Sequence, residues 1–316
     1  MESNYYLKFE NKFRGSREKI IENLLIYEPL INLTIKENTN NKFIDVGCGR
    51  GEWLEKWQTS FNDCMGIECD KSMVDFCQKL KLNVIDSDAL CALKNISKNG
   101  NFISVGALCT HKQCAESDII KSCCPALSDA ASVIGDPHVR NKGTIGGALA
   151  HSDPQADYPG VVLALKATFI LKGPSGERTI DAVDYFTGLW ETALGENEIF
   201  TEVRIPLDSA NANSCYLKFP QPASRYPYVG CAVAMEKSGG NCSEVRVGFS
   251  GIAEFAFCDT GVEDSIRGQE LKDETIATAS AKAAEGRTVL SDYFVSEKYR
   301  RAMAKVYAKR ALTKVS

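Results

Sequence analysis

Two glycine-rich stretches hold the residues best suited to gripping a nucleotide. The first, Gly47-Cys48-Gly49-Arg50-Gly51, follows the apolar run Phe43-Ile44-Asp45-Val46 and precedes Trp53, Leu54 and Trp57. Glycine permits positive φ and close backbone approach to a ligand, and the first N–H groups of a following helix then face that ligand. Glu68 stands 17 residues after Gly51, about where an acid hydrogen-bonds ribose hydroxyls in a nucleotide-binding βαβ unit. Asp88 follows a third apolar run, Asn83-Val84-Ile85. In the second stretch Gly143, Gly146 and Gly147 bracket Thr144. Such a backbone can wrap a diphosphate with N–H groups and one hydroxyl. Asp153 and Asp157 lie in the turns that follow, where carboxylates accept bonds from ribose or nearby backbone.

These residues need elements to hold them. Before residue 90 the pattern is helix, strand, helix, strand. A helix spans 16–33 and ends in an Asn-rich turn at Asn38, Asn40 and Asn41. Strands follow at 43–46, 65–67 and 83–85, with helices after Gly51 and over 71–80. Further on, Phe102–Ala107 is strand-like and 116–134 carries helical spacing. Three strands (213–220, 229–237 and 243–252) pair antiparallel, the last two through the turn Ser238-Gly239-Gly240-Asn241. A helix over 296–312 is capped by Ser296. It turns Tyr299, Met303, Val306 and Tyr307 inward and Arg300, Arg301, Lys305 and Lys309 outward. The fold class is mixed α+β and α/β in three pieces. A truncated Rossmann-like fragment occupies 1–90, and an α+β subdomain 91–207. A C-terminal domain, 208–316, carries a three-stranded antiparallel sheet with helices.

Composition narrows the function. The 316 residues carry 37 basic and 41 acidic side chains, a net charge of -4, without the clustered basic footprint of a nucleic-acid binder. No apolar run reaches the 18 or more residues of a membrane span. The opening MESNYYLKFENKFRG has no apolar signal region, so a cytoplasmic location and reduced thiols are expected for the 13 cysteines. Cys109, Cys114, Cys123 and Cys124 match neither ferredoxin spacing. His138 and His151 flank the second glycine stretch but lack a nucleophile-relay partner, so local hydrogen bonding or plain exposure is their simplest role.

The run from Asp45 to Leu54, DVGCGRGEWL, resembles motif I of class I S-adenosylmethionine methyltransferases, of the type found in O-antigen chain-terminating enzymes. That resemblance implies that Gly47, Gly49 and Gly51 cradle the methionine part of S-adenosylmethionine, with Glu68 on the ribose and Asp88 near the adenine. It stops at Leu90.

The run from Gly135 to Pro159 resembles the second FAD-binding loop of the flavoprotein subunit of molybdenum hydroxylases, the carbon monoxide and xanthine dehydrogenase group. Glu198–Pro206, Ser224–Gly230, Ser250–Ala253 and Ser291–Phe294 extend the likeness over 91–316. It implies a flavoprotein oxidoreductase subunit in which Thr144, Ile145, Gly146 and Gly147 hold the FAD pyrophosphate. Asp157 then contacts ribose or the phosphate loop, Leu165 borders the flavin, and Lys218 and Tyr226 reach the isoalloxazine ring. The alternative role for Tyr226 is that of a β-sheet core aromatic. The implied partners are an iron–sulfur subunit and a molybdenum-cofactor subunit. The family's first Gly-Gly loop has no counterpart in 1–90, so the resemblance also implies weak FAD binding by this chain. Alternative functions are a methyltransferase fragment or a non-catalytic fusion.

Overall fold

The computed structural model describes residues 5–37, 42–87, 90, 92–207 and 213–316, and divides into two compact units, Met1–Ala92 and Leu93–Ser316. Asp88 and the Asn-rich turn at 38–41 lie outside the described residues.

In the first unit, α1 (Tyr5–Phe13), α2 (Arg17–Asn23) and α3 (Glu28–Glu37) precede β1 (Lys42–Val46), α4 (Glu52–Trp57), β2 (Asp63–Glu68), α5 (Lys71–Lys79) and β3 (Val84–Asp86). The single helix expected over 16–33 is interrupted by a 3-10 turn at Leu24–Tyr27. Pro29 explains the break: it lacks an N–H and its ring crowds the carbonyl four residues back, so it is tolerated only in a first turn. The three strands run parallel in the order β1-β2-β3, with Gly66 opposite both Asp45 and Val84. One face packs Phe43 and Cys64 with Leu54, Val74, Cys77 and Leu82. On β1 and β3, Ile44, Val46 and Ile85 remain exposed.

The second unit begins with β4 (Ile96–Asn99) and β5 (Phe102–Gly106), followed by α6 (His111–Glu116), α7 (Asp118–Cys123) and α8 (Pro125–Val133). The helix expected over 116–134 is thus two helices, because Pro125 starts the second one. Next come α9 (Pro137–Lys142), α10 (Ile145–His151), α11 (Tyr158–Ala164), β6 (Thr168–Gly173) and β7 (Gly176–Asp181). A single turn of helix, α12 (Ala182–Tyr185), and a short pair, β8 (Phe186–Gly188) and β9 (Glu191–Thr192), lead into β10 (Ile199–Pro206). Five of these strands form one sheet in the order β4-β5-β10-β6-β7.

A second large sheet, antiparallel, joins β11 (Asn213–Pro220), β12 (Pro227–Ser238) and β13 (Asn241–Ser250) through the expected hairpin. A two-residue fourth strand, β14 (Phe257–Cys258), extends it beyond the three anticipated. Because side chains alternate along a strand, β12 serves two cores. Val229, Cys231, Val233 and Met235 pack with Ala304, Ala308, Ala311 and Leu312 of the C-terminal helix, Glu297–Val315. Ala232 and Ala234 face the core that holds α8, α10 and α11. Small residues on that side let α11 touch the sheet: a Cβ on Gly248 would sit 1.9 Å from the Gly160 carbonyl oxygen.

Arg300 does not face outward. It is fully buried, donating to the Tyr228 carbonyl at 2.7 Å and the Leu290 carbonyl at 3.1 Å, and pairing with Asp292 at 2.6 Å. The helix turns alanines to the sheet, while Tyr299 stays exposed. Helical periodicity marks which residues share a face, but a buried guanidinium with carbonyl partners at hand is indistinguishable from a solvated one in sequence. Among the described residues, no helix is long and apolar enough to cross a membrane.

Candidate functional site

The second glycine stretch is zipped onto the segment that follows β5. Gly146 N–H donates to the Ala107 carbonyl at 2.8 Å and Ile145 N–H to the Cys109 carbonyl at 3.0 Å. His111 N–H donates to the Gly143 carbonyl at 2.9 Å. Thr144 caps α10, its hydroxyl accepting from Gly147 N–H at 3.1 Å. Within this turn the glycines have separate tasks. A Cβ on Gly146 would meet Ala107 Cβ at 2.5 Å and its carbonyl oxygen at 2.8 Å, so Gly146 is required for packing. Gly147 is exposed, and a Cβ there would meet only the Thr144 hydroxyl, at 3.0 Å. Ile145 is fully buried. Of the four residues, Thr144 and Gly147 form the accessible lip, and Ile145 and Gly146 anchor it.

Asp157, at the start of α11, is buried beside β11 and does not reach into open space. Its carboxylate accepts from the Tyr216 hydroxyl at 2.8 Å and pairs with the Lys218 ammonium at 3.0 Å. Burial pushes this carboxyl up, and the Lys218 charge opposes that shift. Lys218 also donates to the Val133 carbonyl at 2.7 Å. Tyr216 and Lys218 are two residues apart on β11 and therefore share a face. Both line a cleft of about 570 Å³ with Val133, Arg140, Pro220 and Arg225, within the size range of cofactor sites. Gly230 makes room for this arrangement, since a Cβ there would sit 2.4 Å from the Tyr216 hydroxyl oxygen. Arg140 and Arg225 both donate to the Gly135 carbonyl, at 3.2 and 3.1 Å, so two guanidinium groups are held at the rim.

Tyr226 lies in the turn before β12 and is 45% exposed, which rules out a sheet-core role. Burial, with Asp153 and Asp157 nearby, raises its phenol. Leu165 is fully buried in the hydrophobic core, and the cleft-lining residues do not include it. His138 and His151 are exposed. Sequence reasoning missed Tyr216, Arg140 and Arg225; the two-residue spacing of Tyr216 and Lys218 was the signal for the first.

The donor set suits a flat, anionic nucleotide. The Thr144 hydroxyl proton beside an uncrowded Gly147, a fixed ammonium and two rim guanidiniums answer to diphosphate and to an electron-accepting ring. FAD therefore fits the residues present.

The first glycine turn is built differently. Gly47, Gly49 and Gly51 all take positive φ (74°, 52° and 74°). The Glu68 carboxylate accepts from the N–H groups of Gly49, Cys69 and Asp70 at 2.8–2.9 Å. Arg17 reaches the Arg50 carbonyl and, at 3.3 Å, the Gly51 carbonyl. Glu68 thus closes the turn on itself.

Comparison with known proteins agrees with the second unit's geometry. Residues 72–208 match the FAD binding domain in molybdopterin dehydrogenase, and 214–315 the CO dehydrogenase flavoprotein C-terminal domain. The carbon monoxide dehydrogenase medium chain of Hydrogenophaga pseudoflava is 34% identical over 230 residues, covering 73% of this chain and 80% of that one. The glyceraldehyde dehydrogenase medium chain of Sulfolobus acidocaldarius is 32% identical over 74% of this chain and 83% of that one. A solved carbon monoxide dehydrogenase from Hydrogenophaga pseudoflava superposes with a TM-score of 0.70 at 30% identity. It covers 87% of this chain and 97% of that chain, more than the second unit alone spans. By sequence and by fold, this chain belongs to the FAD-binding medium-subunit family of molybdenum hydroxylases that includes the carbon monoxide dehydrogenase medium chains.

Proposed function

We propose that this chain relays electrons between iron–sulfur centres on a partner subunit and a soluble acceptor, as the flavin-carrying member of a hydroxylase that also contains a molybdenum-cofactor subunit. The observation that carries this reading is the cleft in which Lys218, fixed by Asp157 and Val133, lies beside Tyr216, in a chain with medium-chain relatives. FAD held by these residues would supply the redox chemistry, able to take electrons one at a time from metal centres and to give two to an organic acceptor.

The protein's part is to bind, orient and tune. Thr144 keeps its hydroxyl proton for the diphosphate, and Gly147, exposed and without a side chain, lets that group approach closely; the N–H groups of Ile145, Gly146 and Gly147 are already spent on Cys109, Ala107 and Thr144. Lys218 sets a positive charge on the cleft wall, which stabilises electron density gained by a bound ring. Its pairing with Asp157 keeps that ammonium from swinging into solvent. Tyr226, exposed at the rim, can cover a ring face while its hydroxyl stays wet. Leu165 acts from below, as core packing under α11.

An absorption spectrum of the purified chain, followed by FAD titration, tests the reading. The expected result is a flavin band on reconstitution and electron transfer from NADH to a dye that depends on added FAD. A chain that neither takes up FAD nor supports that transfer would sink it. Substoichiometric flavin on purification, cured by added FAD, is the expected mark of a chain lacking the family's first Gly-Gly loop.

A further inference from the structure

We infer that His111 is a positioning residue that ties the Thr144–Gly147 turn to the Lys218 cleft through Tyr158. The inference rests on the reading that this turn takes the FAD diphosphate.

His111 is 5% exposed and begins α6, directly under the turn. Its backbone N–H holds the Gly143 carbonyl. Its ring fills the space below, where a Cβ on Gly143 would lie 2.5 Å from Nε2. The other ring nitrogen, Nδ1, is 3.1 Å from the Tyr158 hydroxyl. Tyr158 is fully buried, and the residue before it is Asp157, which holds Tyr216 and Lys218.

A continuous chain of contacts therefore runs from Gly143 to His111, to Tyr158, and along one peptide bond to the Asp157–Lys218 pair. Apolar packing alone would be served by a phenylalanine at either position. Two polar aromatic side chains buried against each other instead fix distance and direction, since a hydrogen bond weakens steeply once misaligned. The His111 ring faces protein, meeting the Tyr158 hydroxyl, which also bonds the buried Cys114 thiol, with Arg140 the nearby charge. Its task is to hold the turn at one height above α11, so that the grip on diphosphate and the position of the Lys218 ammonium are set together.

The test combines FAD affinity, read by flavin fluorescence, with visible circular dichroism of the bound flavin, on His111→Phe, His111→Gln, Tyr158→Phe, the Phe/Phe double variant and Gly147→Asp. His111→Phe and Tyr158→Phe are each expected to weaken FAD about tenfold and to alter the flavin dichroism. The double variant should also lose about tenfold and not a hundredfold, because both changes break one link. His111→Gln, whose amide can meet the hydroxyl, should stay within about threefold of native, a rescue that space-filling would not produce. Native affinity and dichroism in both single Phe variants, with binding lost in Gly147→Asp, would overturn the inference alone. Additive losses in the double variant would overturn it too. A Gly147→Asp chain that binds FAD as before overturns the reading of the turn, and the inference with it. If His111→Phe does not fold, Tyr158→Phe and His111→Gln still decide the matter.

Discussion

Two glycine-rich turns in one chain, Gly47–Gly51 and Gly143–Gly147, need glycine for different reasons. In the first, every glycine has positive φ, and a Cβ added at Gly47 would meet nothing within 4 Å. The requirement there is conformational at all three, with crowding added at Gly51, where a Cβ would sit 2.6 Å from Leu82 Cδ1. In the second, none of the three has positive φ. Gly143 and Gly146 are pressed against His111 and Ala107, and the requirement is space. The acids differ as well. Glu68 folds back onto its own turn, whereas Asp157 turns away to pair with Lys218. A turn held by its own acid is locally complete. A turn zipped to a distant segment, with its acid committed to a separate cleft, depends on tertiary packing for its shape.

The strongest way to break this contrast is to remove the charge that Asp157 needs. Lys218→Met leaves a buried carboxylate with only Tyr216, and should cost about 3–5 kcal/mol of stability. Urea unfolding checks it; Lys218→Met combined with Asp157→Leu should recover most of that loss. Retention of native stability by the single variant would mean that the pair contributes nothing.

The next effect is a pH dependence confined to the second unit. Burial, with Arg140 nearby, pushes His111 down to about 4 from an ordinary 6.5. The folded state therefore binds this proton less readily than the unfolded chain. Stability is unaffected above about pH 6.5 and falls as pH drops from there towards 4, by on the order of 2–3 kcal/mol at most. Unfolding measured from pH 7 to 4 should show this slope in native protein and a shallower one in His111→Gln.

Glycine replacements sharpen the comparison directly. Gly146→Ala drives a methyl into the Ala107 backbone and should cost about 1–3 kcal/mol through overpacking. Gly47→Ala meets no neighbour and should cost only the left-handed backbone strain, about 1–2 kcal/mol. Thermal melts of both variants, with Ala107→Gly added to each, separate the causes. Because Ala107 Cβ is one of the crowding atoms, that addition should partly rescue Gly146→Ala and leave Gly47→Ala unchanged.

Much of this was legible in the residues. Parallel strands β1 to β3, the β12–β13 hairpin and the C-terminal helix follow from periodicity and turn chemistry, which act within a few residues. The Thr144–Gly147 turn stands out in the sequence by glycine spacing and by resemblance to flavoprotein loops. The same reading misplaced Arg300 and did not foresee that Leu165 lies buried in the core, because the surroundings of a side chain depend on what a remote segment brings to it. Asp157 illustrates the limit. Its place in a turn was visible, but its partners, Tyr216 and Lys218, lie about 60 residues on. They reach it only because β11 packs on α8, which in turn packs on α11, and because Gly230 leaves room for a phenol. Local sequence therefore determined the elements and singled out the Thr144–Gly147 turn. The cleft and its buried charge pair were decided by tertiary packing, because burial and ion pairing arise only when distant chain segments exclude water together.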